Sequence, residues 1–336
     1  MSLRLGLDIG GTKTAALVVD ESGAPLGRAI KPTDVTDPQH LVAGTLRIID
    51  EALRDAGRDR SELLAAGIGI PGQVDPVDGS VRLAMNLNLR EPYPLGQTLQ
   101  NALGIPVALE NDVRTAAWGA YHWAYEQSPL NSLAYLSIGT GIAAGLVLEG
   151  RIWRGSNGMA GEIGHIPMNE TGPRCICGAY GCLEAIAAGP AIAAQAAAAG
   201  ITVNGRPPST HEVYSLAAAG NPVAVEVIDR TAGYLARAVY MLLMTYDVDQ
   251  VILGGGVTRA GDAFERPFRH ALSALRSNSA LVSSMMPDGK IVIVPVDFNA
   301  GVMGAMHLAP TPKPNNRQEE DEENKDTISL SQYESA

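Results

Sequence analysis

A segment that reads as a strand, a glycine turn and a second strand occurs twice in this chain of 336 residues. The first copy covers residues 3–20 and the second covers residues 136–149. In both, apolar residues flank glycines, which is the pattern of two short strands around a tight turn. When Gly10 of the first copy is aligned with Gly139 of the second, the apolar residues that follow align as well. The repetition predicts two lobes of related plan.

Helical and strand patterns alternate along the rest of the chain. Apolar residues recur at helical spacing in some segments, and short apolar runs bounded by turn residues indicate buried strands in others. A mixed alternation of this kind predicts an α/β architecture in which helices cover the sheets. The predicted helices are residues 41–56, 113–125, 223–244 and 299–308, and the predicted strands are residues 65–70, 106–109, 250–253 and 291–296.

Composition and charge narrow the classes of protein to which the chain can belong. A hydrophobic content of 46% over 336 residues is enough for a sizeable core, and this length favours two lobes over one. A net charge of -11 disfavours binding along DNA, where basic side chains must displace counterions. The sequence shows neither a secretory signal pattern nor an apolar run of about 18 residues. We therefore expect a cytoplasmic protein that binds neither nucleic acid nor a membrane.

All the cysteines of the chain lie in one short segment that follows a histidine. Cys175, Cys177 and Cys182 fall within eight residues, and His165 precedes them. Three thiolates and one imidazole complete the tetrahedral ligand set of a structural zinc site. In a reducing compartment such a cluster indicates metal binding rather than disulfides. The alternative is three buried thiols and a core histidine, but the close spacing, with glycines that allow tight turns, favours zinc.

Three carboxylates are candidates for a polar pocket. Glu162 and Glu184 bracket the cysteine cluster in sequence, so a bound metal would hold both in fixed positions. Asp112 follows a predicted strand and begins a predicted helix, where Asn111 or Asp112 could simply cap the helix. The functional interpretation is that Asp112 is a general base for phosphoryl transfer. One oxygen cannot hold both roles, so Asn111 could cap the helix while Asp112 faces a ligand.

The two glycine turns are candidate phosphate-binding loops. In each, backbone amides can approach an anion, and nearby hydroxyl or ammonium groups can reach phosphate oxygens. Taken alone, the first turn could equally be an ordinary hairpin turn. The second turn favours the functional interpretation, because two facing loops would clamp a triphosphate. The residues concerned are Asp8, Gly10, Gly11, Thr12 and Lys13 in the first turn, and Gly139, Thr140 and Gly141 in the second.

A third glycine patch follows a buried strand. Ligands bind at the carboxyl ends of strands in α/β sheets, and a purine or ribose could approach Gly254, Gly255 and Gly256 closely because they carry no side chains. The alternative is a flexible turn.

Together these motifs resemble those of the ROK sugar kinases (repressor, open reading frame, kinase), most closely the bacterial ROK glucokinases. The resemblance runs from about residue 3 to residue 309. It implies an α/β protein with the actin-like ATPase fold, which is ribonuclease H-like, and with an active-site cleft between two lobes. The motifs that carry it are residues 8–13 (DIGGTK), 69–72 (GIPG), 110–112 (END), 137–141 (SIGTG), 161–165 (GEIGH), 175–184 (CICGAYGCLE) and 253–256 (LGGG).

The resemblance also implies how the chain is divided. Residues 1–118 would form a small α/β lobe, and residues 119–298 a large α/β lobe that includes the zinc motif. Residues 299–310 would form a last helix that returns to the small lobe. Residues 311–336, with an acidic run and few apolar residues, are predicted to be a disordered tail with no catalytic part.

The implied activity is phosphorylation of a hexose at its 6-hydroxyl by MgATP. Asp112 would take the proton of that hydroxyl as the γ-phosphoryl group is transferred. Magnesium would neutralise charge on the phosphates, and zinc would be structural. The implied substrate-binding residues are Gly72, Asn111, Asp112, Glu162, His165 and Glu184, and the implied nucleotide-binding residues are Asp8, Gly10, Gly11, Thr12, Lys13, Thr140, Gly141, Gly254, Gly255 and Gly256.

Glucose is the substrate we expect, because the motifs together look most like those of the glucokinase branch. N-acetylmannosamine, N-acetylglucosamine, fructose and mannose are alternatives, since they differ from it by small changes. The same family includes sugar-responsive repressors, which carry a helix-turn-helix domain ahead of the first loop. Here that loop begins within ten residues of Met1, so we expect a kinase rather than a sugar-sensing regulator. The resemblance also implies a homodimer or a higher homo-oligomer.

One residue beside the predicted base departs from the family pattern. Arg114 stands where a small residue is usual. We expect it to pair with Asp112 and to lower the pKa of that carboxyl, which would weaken the base.

Overall fold

Two five-stranded sheets form the framework of residues 2–310, the part of the chain that the structure, a computed structural model, describes. The strands are β1 (Leu3–Ile9), β2 (Lys13–Val19), β3 (Pro25–Pro32), β4 (Leu63–Ile70), β5 (Gln73–Asp75), β6 (Ser80–Leu83), β7 (Val107–Asn111), β8 (Leu133–Ile138), β9 (Ile142–Leu148), β10 (Arg151–Trp153), β11 (Gln250–Gly254) and β12 (Ile291–Ile293). The helices are α1 (Pro38–Ala56), α2 (Leu95–Leu103), α3 (Asp112–Gln127), α4 (Leu183–Ala187), α5 (Gly189–Ala198), α6 (Thr210–Ala218), α7 (Pro222–Tyr246), α8 (Asp262–Ser277), α9 (Ala280–Met285) and α10 (Ala300–Leu308).

The two sheets have the same strand order. The first is β3-β2-β1-β4-β7, and the second is β10-β9-β8-β11-β12. In each sheet an antiparallel hairpin continues into parallel strands on its other side. The two copies of the sequence pattern therefore form corresponding hairpins, β1–β2 in the first sheet and β8–β9 in the second.

Strand register gathers the predicted site residues at one edge of each sheet. In the first sheet, Asp8 of β1 lies opposite Gly69 of β4, which in turn lies opposite Glu110 of β7. In the second sheet, Ser137 of β8 lies opposite Gly254 of β11. Because parallel strands end at the same edge, the loops that follow these strands converge there.

Helix α1 shows how local signals set the bounds of an element. Its N-cap is Asp37, whose side chain accepts a hydrogen bond from the backbone N–H of His40 at 2.8 Å, and Pro38 occupies the first turn. Gly57 ends the helix with a φ of 64°, which glycine adopts without steric cost. The helix packs on β2 and β3. It begins before the predicted residue 41 because its first turn is polar.

Helices α3 and α10 pack against each other between the sheets. Helix α10 also packs on β1 and β4 of the first sheet, whereas α3 also packs on β8 and β9 of the second. A Cβ atom added to Gly304 would lie 1.7 Å from the carbonyl oxygen of Thr115, and one added to Gly119 would lie 2.2 Å from that of Ala300. Glycine at these positions lets the two helices approach closely.

One predicted strand is shorter in the structure. The sequence predicts a strand over residues 291–296, but β12 ends at Ile293. Pro295 has no backbone N–H to donate, so pairing does not continue along the sheet. The chain leaves the sheet there and leads towards α10.

No break in the chain marks the predicted lobe boundary. Helix α3 runs without interruption over Asp112–Gln127, across residues 118 and 119. The division into lobes therefore stays a prediction, and the tail predicted at residues 311–336 lies outside the described residues. Within residues 2–310, no helix has both the length and the apolarity needed to span a membrane.

Candidate active site

A cleft of about 450 Å³ lies where the loops of the two sheets converge. Both predicted phosphate loops, the third glycine patch and the predicted base contribute to it. The predicted residues that line it are Asp8, Thr12 and Lys13 from the first sheet, Asp112 at the start of α3, and Gly139, Thr140, Gly255 and Gly256 from the second sheet.

Gly10 and Gly141 do not line this cleft but take part in the hydrogen bonds that close the two turns. The backbone N–H of Gly10 donates to the carbonyl of Lys13 at 2.9 Å, which closes the first turn. The backbone N–H of Gly139 donates to the carbonyl of Gly141 at 2.9 Å, which closes the second turn in the same way. These bonds fix the path of the two loops.

Gly11 and Gly254 make room for neighbouring residues. A Cβ atom on Gly11 would lie 3.1 Å from Cβ of Asn86. A Cβ atom on Gly254 would lie 2.2 Å from the hydroxyl oxygen of Tyr135, which itself lines the cleft. Gly254 is therefore needed for the packing of Tyr135 and does not touch the cleft itself.

Asp8, at the end of β1, has a strongly perturbed acidity. Burial and the negative charge of Asp112 raise the pKa of Asp8 to about 6, while the charge of Lys13 opposes the shift. Gly301 of α10 lies against the carboxylate, since a Cβ atom there would be 2.6 Å from Oδ2 of Asp8. A cation bound in the cleft would favour the ionised form of this carboxyl.

Asn111 and Asp112 have different roles at the start of α3. Oδ1 of Asn111 accepts hydrogen bonds from the backbone N–H groups of Val113 (3.0 Å) and Arg114 (3.2 Å), so Asn111 is the N-cap. Its Nδ2 donates to the carbonyl of Gly72 at 3.2 Å and to Oδ1 of Asp112 at 3.0 Å. Oδ2 of Asp112 accepts no hydrogen bond from another described residue, which leaves it open to a ligand.

The acidity of Asp112 is set by several opposing effects. Burial raises its pKa above the ordinary value and is the largest effect. The backbone N–H of Val113, which donates to Oδ1 at 2.9 Å, and the charge of Arg114 both lower it, and the charge of Glu162 raises it. The net result is a raised pKa, as a general base near neutral pH requires.

The expected pairing of Arg114 with Asp112 is wrong. Nε of Arg114 donates instead to Oε1 of Glu110 at 2.7 Å. Residues two apart in a helix do not face each other, so the Arg114 side chain does not meet Asp112. Its partner Glu110 lies on β7, just before the helix begins. The guanidinium therefore acts on Asp112 only through its charge, and the pKa of Asp112 is raised rather than lowered.

The predicted zinc ligands lie together. One ligand atom from each of four residues falls within 4.8 Å of the others. Cys177 Sγ is 3.6 Å from Cys182 Sγ, and Cys175 Sγ is 3.5 Å from Nδ1 of His165. With Zn–S bonds of about 2.3 Å, two tetrahedral sulfur ligands lie about 3.8 Å apart, so these residues fit a structural zinc ion. Four protein ligands leave no open position, so such an ion would crosslink the loop.

The remaining predicted substrate residues lie in or beside residues 165–182, which we call the zinc loop, and outside the cleft described above. Oε2 of Glu162 lies 4.0 Å from Nε2 of His165, the ring nitrogen that points away from the cysteines. Oε2 of Glu184 accepts a hydrogen bond from the backbone N–H of Ile142 at 3.0 Å, which ties α4 to the end of the second phosphate loop. Gly164 is close to Glu184, since a Cβ atom added to Gly164 would lie 3.4 Å from Cβ of Glu184.

A second cavity, of about 470 Å³, adjoins the first and was not predicted from the sequence. The two share Gly139, Thr140, Gly256 and Arg259. The second is otherwise lined from the starts of α5 and α6, by Gly189, Pro190, Ala193, Ser209, Thr210, His211 and Tyr214, and by Val257 and Ala260. Residues at two helix starts carry no motif. Tyr135 was detectable in principle, as an aromatic hydroxyl within an otherwise apolar strand.

Comparison with known proteins bears directly on this site. A model of the ROK family matches residues 4–311. The chain belongs to the ROK family. The family that the motifs predict is thereby confirmed, and the match covers both sheets, the zinc loop and α10.

Relatives of this ROK protein carry two kinds of name. A glucokinase of Streptomyces coelicolor is 31% identical over 330 residues, which are 94% of this chain and 99% of the relative. An N-acetylmannosamine kinase of Citrobacter koseri is 33% identical over 269 residues, which are 80% of this chain and 88% of the relative. The chain is thus a ROK sugar kinase, and both names are compatible with it.

Solved structures extend the comparison to the fold. The structure of a ROK family glucokinase from Streptomyces griseus in complex with glucose and AMPPNP is 30% identical, has a TM-score of 0.75, and matches over 92% of this chain and 99% of that one. The predicted actin-like ATPase fold is confirmed by this likeness and by the two equivalent sheets.

Proposed function

We propose that this ROK kinase transfers the γ-phosphoryl group of MgATP to the 6-hydroxyl of a hexose, and that glucose is the preferred acceptor. The observation that carries the proposal is the open Oδ2 of Asp112, in a cleft between two closed hairpin loops. A hydroxyl against this oxygen, in line with a phosphate held by the loops, has the geometry that phosphoryl transfer needs.

Asp112 is the proposed general base. As the sugar oxygen attacks phosphorus, its proton passes to Oδ2 of Asp112. Burial raises the pKa of Asp112, which strengthens the carboxylate as a base. Its other oxygen is held by Asn111 and Val113, so the carboxylate keeps one orientation.

The loops are proposed to hold the nucleotide. Lys13 and Thr12 from the first loop and Thr140 from the second line the cleft with donors for phosphate oxygens. Magnesium bound with the nucleotide would supply charge neutralisation at the phosphates. Asp8 is the carboxylate that we propose to hold this ion, because it lines the cleft together with Asp112. A bound cation would offset the burial and the like charge that raise the pKa of Asp8.

The sugar hydroxyls are proposed to bind between Asn111 and the zinc loop. His165 would offer Nε2 to the sugar while Nδ1, beside Cys175, binds zinc. Glu162 lies 4.0 Å from that Nε2, so both can reach the same part of a sugar ring. Glu184 would complete the set through the oxygen that Ile142 does not occupy.

Glucose is favoured by two of the comparisons. The glucokinase relative spans 94% of this chain, and the solved neighbour with the named ligands is a glucose complex. The N-acetylmannosamine kinase relative makes that amino sugar the alternative acceptor. An acetamido group needs space that a hydroxyl does not, so the two pockets must differ. The homodimer or higher homo-oligomer implied by the resemblance stays a prediction.

The test is ADP release from MgATP with each of five sugars: glucose, mannose, fructose, N-acetylglucosamine and N-acetylmannosamine. The expected result is the highest kcat/KM for glucose. The highest value for N-acetylmannosamine would replace the proposed substrate and keep the reaction. ADP release with none of the five, from protein that holds zinc, would overturn the proposal.

The role of Asp112 has its own test. Asp112→Asn keeps the size of the side chain but removes the base, so kcat should fall at least about a hundredfold while sugar binding by calorimetry stays nearly unchanged. Asp262→Asn, at an exposed carboxylate on α8, is the matched control and should leave kcat as it is. Near-normal turnover of Asp112→Asn would remove Asp112 from the role of base.

A further inference from the structure

Glu110 is a buried carboxylate with two arginine partners. Its side chain is 1% exposed. Nε of Arg114 donates to Oε1 at 2.7 Å, and Nε of Arg154 donates to Oε2 at 2.6 Å. The backbone N–H of Asn111 also donates to Oε1, at 2.8 Å. Both oxygens are thus engaged by charge-assisted bonds, which a buried carboxylate needs.

The two arginines come from different parts of the fold. Glu110 lies on β7 of the first sheet, and Arg114 is in the first turn of α3. Arg154 directly follows β10, the edge strand of the second sheet. The ion pair between Glu110 and Arg154 therefore joins the two sheets beside the proposed sugar site.

The loop that begins at Arg154 is held at further points before it reaches Glu162. The carbonyl of Gly158 accepts a hydrogen bond from Nη1 of Arg114 at 2.9 Å. The carbonyl of Gly161 accepts one from the backbone N–H of Ala144 on β9 at 2.7 Å. Glu162 follows Gly161 directly, so its backbone position depends on anchors in both sheets.

The same carboxylate adjoins the other side of the proposed sugar site. Glu110 is followed by Asn111 and Asp112, and its Oε1 holds the backbone N–H of Asn111. Glu162 is close enough to Asp112 for its charge to raise the pKa of that carboxyl. Glu110 thus lies between the two groups of residues that a bound sugar would bridge.

We propose that Glu110, Arg114 and Arg154 form an ionic brace that sets the position of Glu162 relative to the Asn111–Asp112 corner, with Arg154 as a positioning residue for the sugar. The proposal rests on the proposed function. Without the brace, the loop that carries Glu162 shifts relative to Asp112, which weakens sugar binding and transfer. Among the described residues, no hydrogen bond or ion pair joins the brace to the phosphate loops, so we expect nucleotide binding to be unchanged.

Arg154→Ala is the first test, because this side chain is 41% exposed and its loss leaves Glu110 paired with Arg114. The expected result is a fall of about tenfold to a hundredfold in kcat/KM for the sugar, with KM for MgATP unchanged. Arg154→Lys, which keeps one ionic contact, should restore part of the loss. Arg269→Ala is the matched control, since Arg269 pairs with Glu265 on the surface of α8.

A double-mutant cycle separates positioning from a general structural role. If Arg154 acts through Glu162, Arg154→Ala should cost no further sugar affinity in a Glu162→Gln background. Additive losses in the cycle would overturn the proposal. The proposal would also be overturned if the wild type is active and Arg154→Ala has the same kcat/KM for the sugar. That result would leave the proposed function intact.

Amide hydrogen exchange, measured without any substrate, tests the brace independently of catalysis. Arg154→Ala should speed amide exchange in residues 155–163, and Arg269→Ala should not. Unchanged exchange would overturn the brace even if the wild type proved to phosphorylate no sugar. If exchange is faster in Arg154→Ala than in the wild type, but the wild type phosphorylates no sugar, the brace is retained and the kinase proposal is rejected. If Arg154→Ala fails to fold, Arg154→Lys and Arg154→Gln are measured in the same way.

Discussion

At the scale of single residues, Asp8 is held in an environment that opposes its charge. Its pKa is raised to about 6 by burial and by Asp112, whereas an ordinary aspartate titrates near 3.8. The folded state therefore binds more protons than the unfolded state between these values, and stability falls as the pH rises through them. At neutral pH the ionised side chain destabilises the apoprotein, as is common where a carboxylate serves a ligand.

Asp8→Asn should therefore stabilise the apoprotein and impair the enzyme. Because the amide does not ionise, we expect the Tm at pH 7.5 to rise by a few degrees and the gain to disappear below about pH 4. Kinase activity at pH 7.5 should fall sharply. Asp20→Asn is the control. Because hydrogen bonds lower the pKa of Asp20, this substitution should change the Tm at pH 7.5 in the opposite direction. A variant less stable than the wild type at pH 7.5 would contradict this account of Asp8.

Arg114 shows why residue roles are harder to predict from sequence than residue positions. The motif places Arg114 two positions from Asp112, and proximity in sequence suggests a pair. Only the geometry of a strand that leads into a helix shows that the guanidinium reaches Glu110 instead. Arg154, 44 residues beyond Glu110, belongs to no motif, and the second cavity is formed by residues far apart in sequence.

At the scale of elements, the zinc loop has little regular structure to hold it. Between β10 and α4 the described chain contains one short 3-10 turn, Ile163–His165, and isolated bridges such as Pro167 with Cys182. Few backbone ladders stabilise such a segment, so a bound metal would contribute directly to its folding.

Cys177→Ser should lose the metal, because the hydroxyl is a poor replacement for a thiolate ligand. We expect about one zinc per chain in the wild type and much less in the variant, by metal analysis of dialysed protein. Ile176→Ser is the matched control, since Ile176 lies between two ligands with 93% of its surface exposed, and it should keep the zinc. A metal-free wild type with full activity would contradict the structural role of zinc.

The contact between α3 and α10 permits a sharp comparison of two glycines. An added methyl group on Gly304 would meet the carbonyl oxygen of Thr115, whereas one on Gly233, within α7, would meet no atom within 4 Å. Gly304→Ala should lower the free energy of unfolding by about 2 kcal/mol or more. Gly233→Ala should raise it by about 1 kcal/mol, through helix propensity. Urea denaturation of both measures the difference, and equal effects would contradict the close packing.

At the scale of the whole molecule, a pair of stacked histidines joins the same two helices. The rings of His122 on α3 and His307 on α10 are 3.7 Å apart and nearly parallel. Burial lowers the pKa of both, and the charges of His122 and Arg4 further lower the pKa of His307, to about 4. The unfolded chain protonates these rings near pH 6.5, so stability should fall as the pH drops from about 6.5 towards 4.

His307→Gln should weaken this acid sensitivity. Because the amide stays neutral, the loss of Tm between pH 7 and pH 5 should be smaller than in the wild type, by a few degrees. His40→Gln is the control, since Asp37 raises the pKa of the exposed His40 and its contribution has the opposite sign. An equal loss of Tm in wild type and His307→Gln would show that the stacked pair does not sense acid.

Much of the fold could be predicted from sequence, and the reasons are physical. Strands β1, β4 and β11 are short apolar runs followed by turns that contain glycine, and α3 begins at the Asn111–Asp112 pair that the sequence offers as a cap, so local pattern and tertiary structure agree. The grouping of His165 with the three cysteines was predictable, because these residue types at this spacing are typical of a metal site. The early end of β12 depended on Pro295, and the sugar preference depends on cavity shape, which no single motif encodes.

The chain passes between the two sheets twice, once through α3 and once through the segment that joins β12 to α10. Because α3 and α10 pack side by side, both crossings lie close to one line. Two bodies joined at two such points keep one easy degree of freedom, which is rotation about the axis through both crossings. If the two sheets rotate about this axis, rotation that widens the cleft would also stretch the pair between Glu110 and Arg154, and this ionic contact would then limit how far the cleft opens.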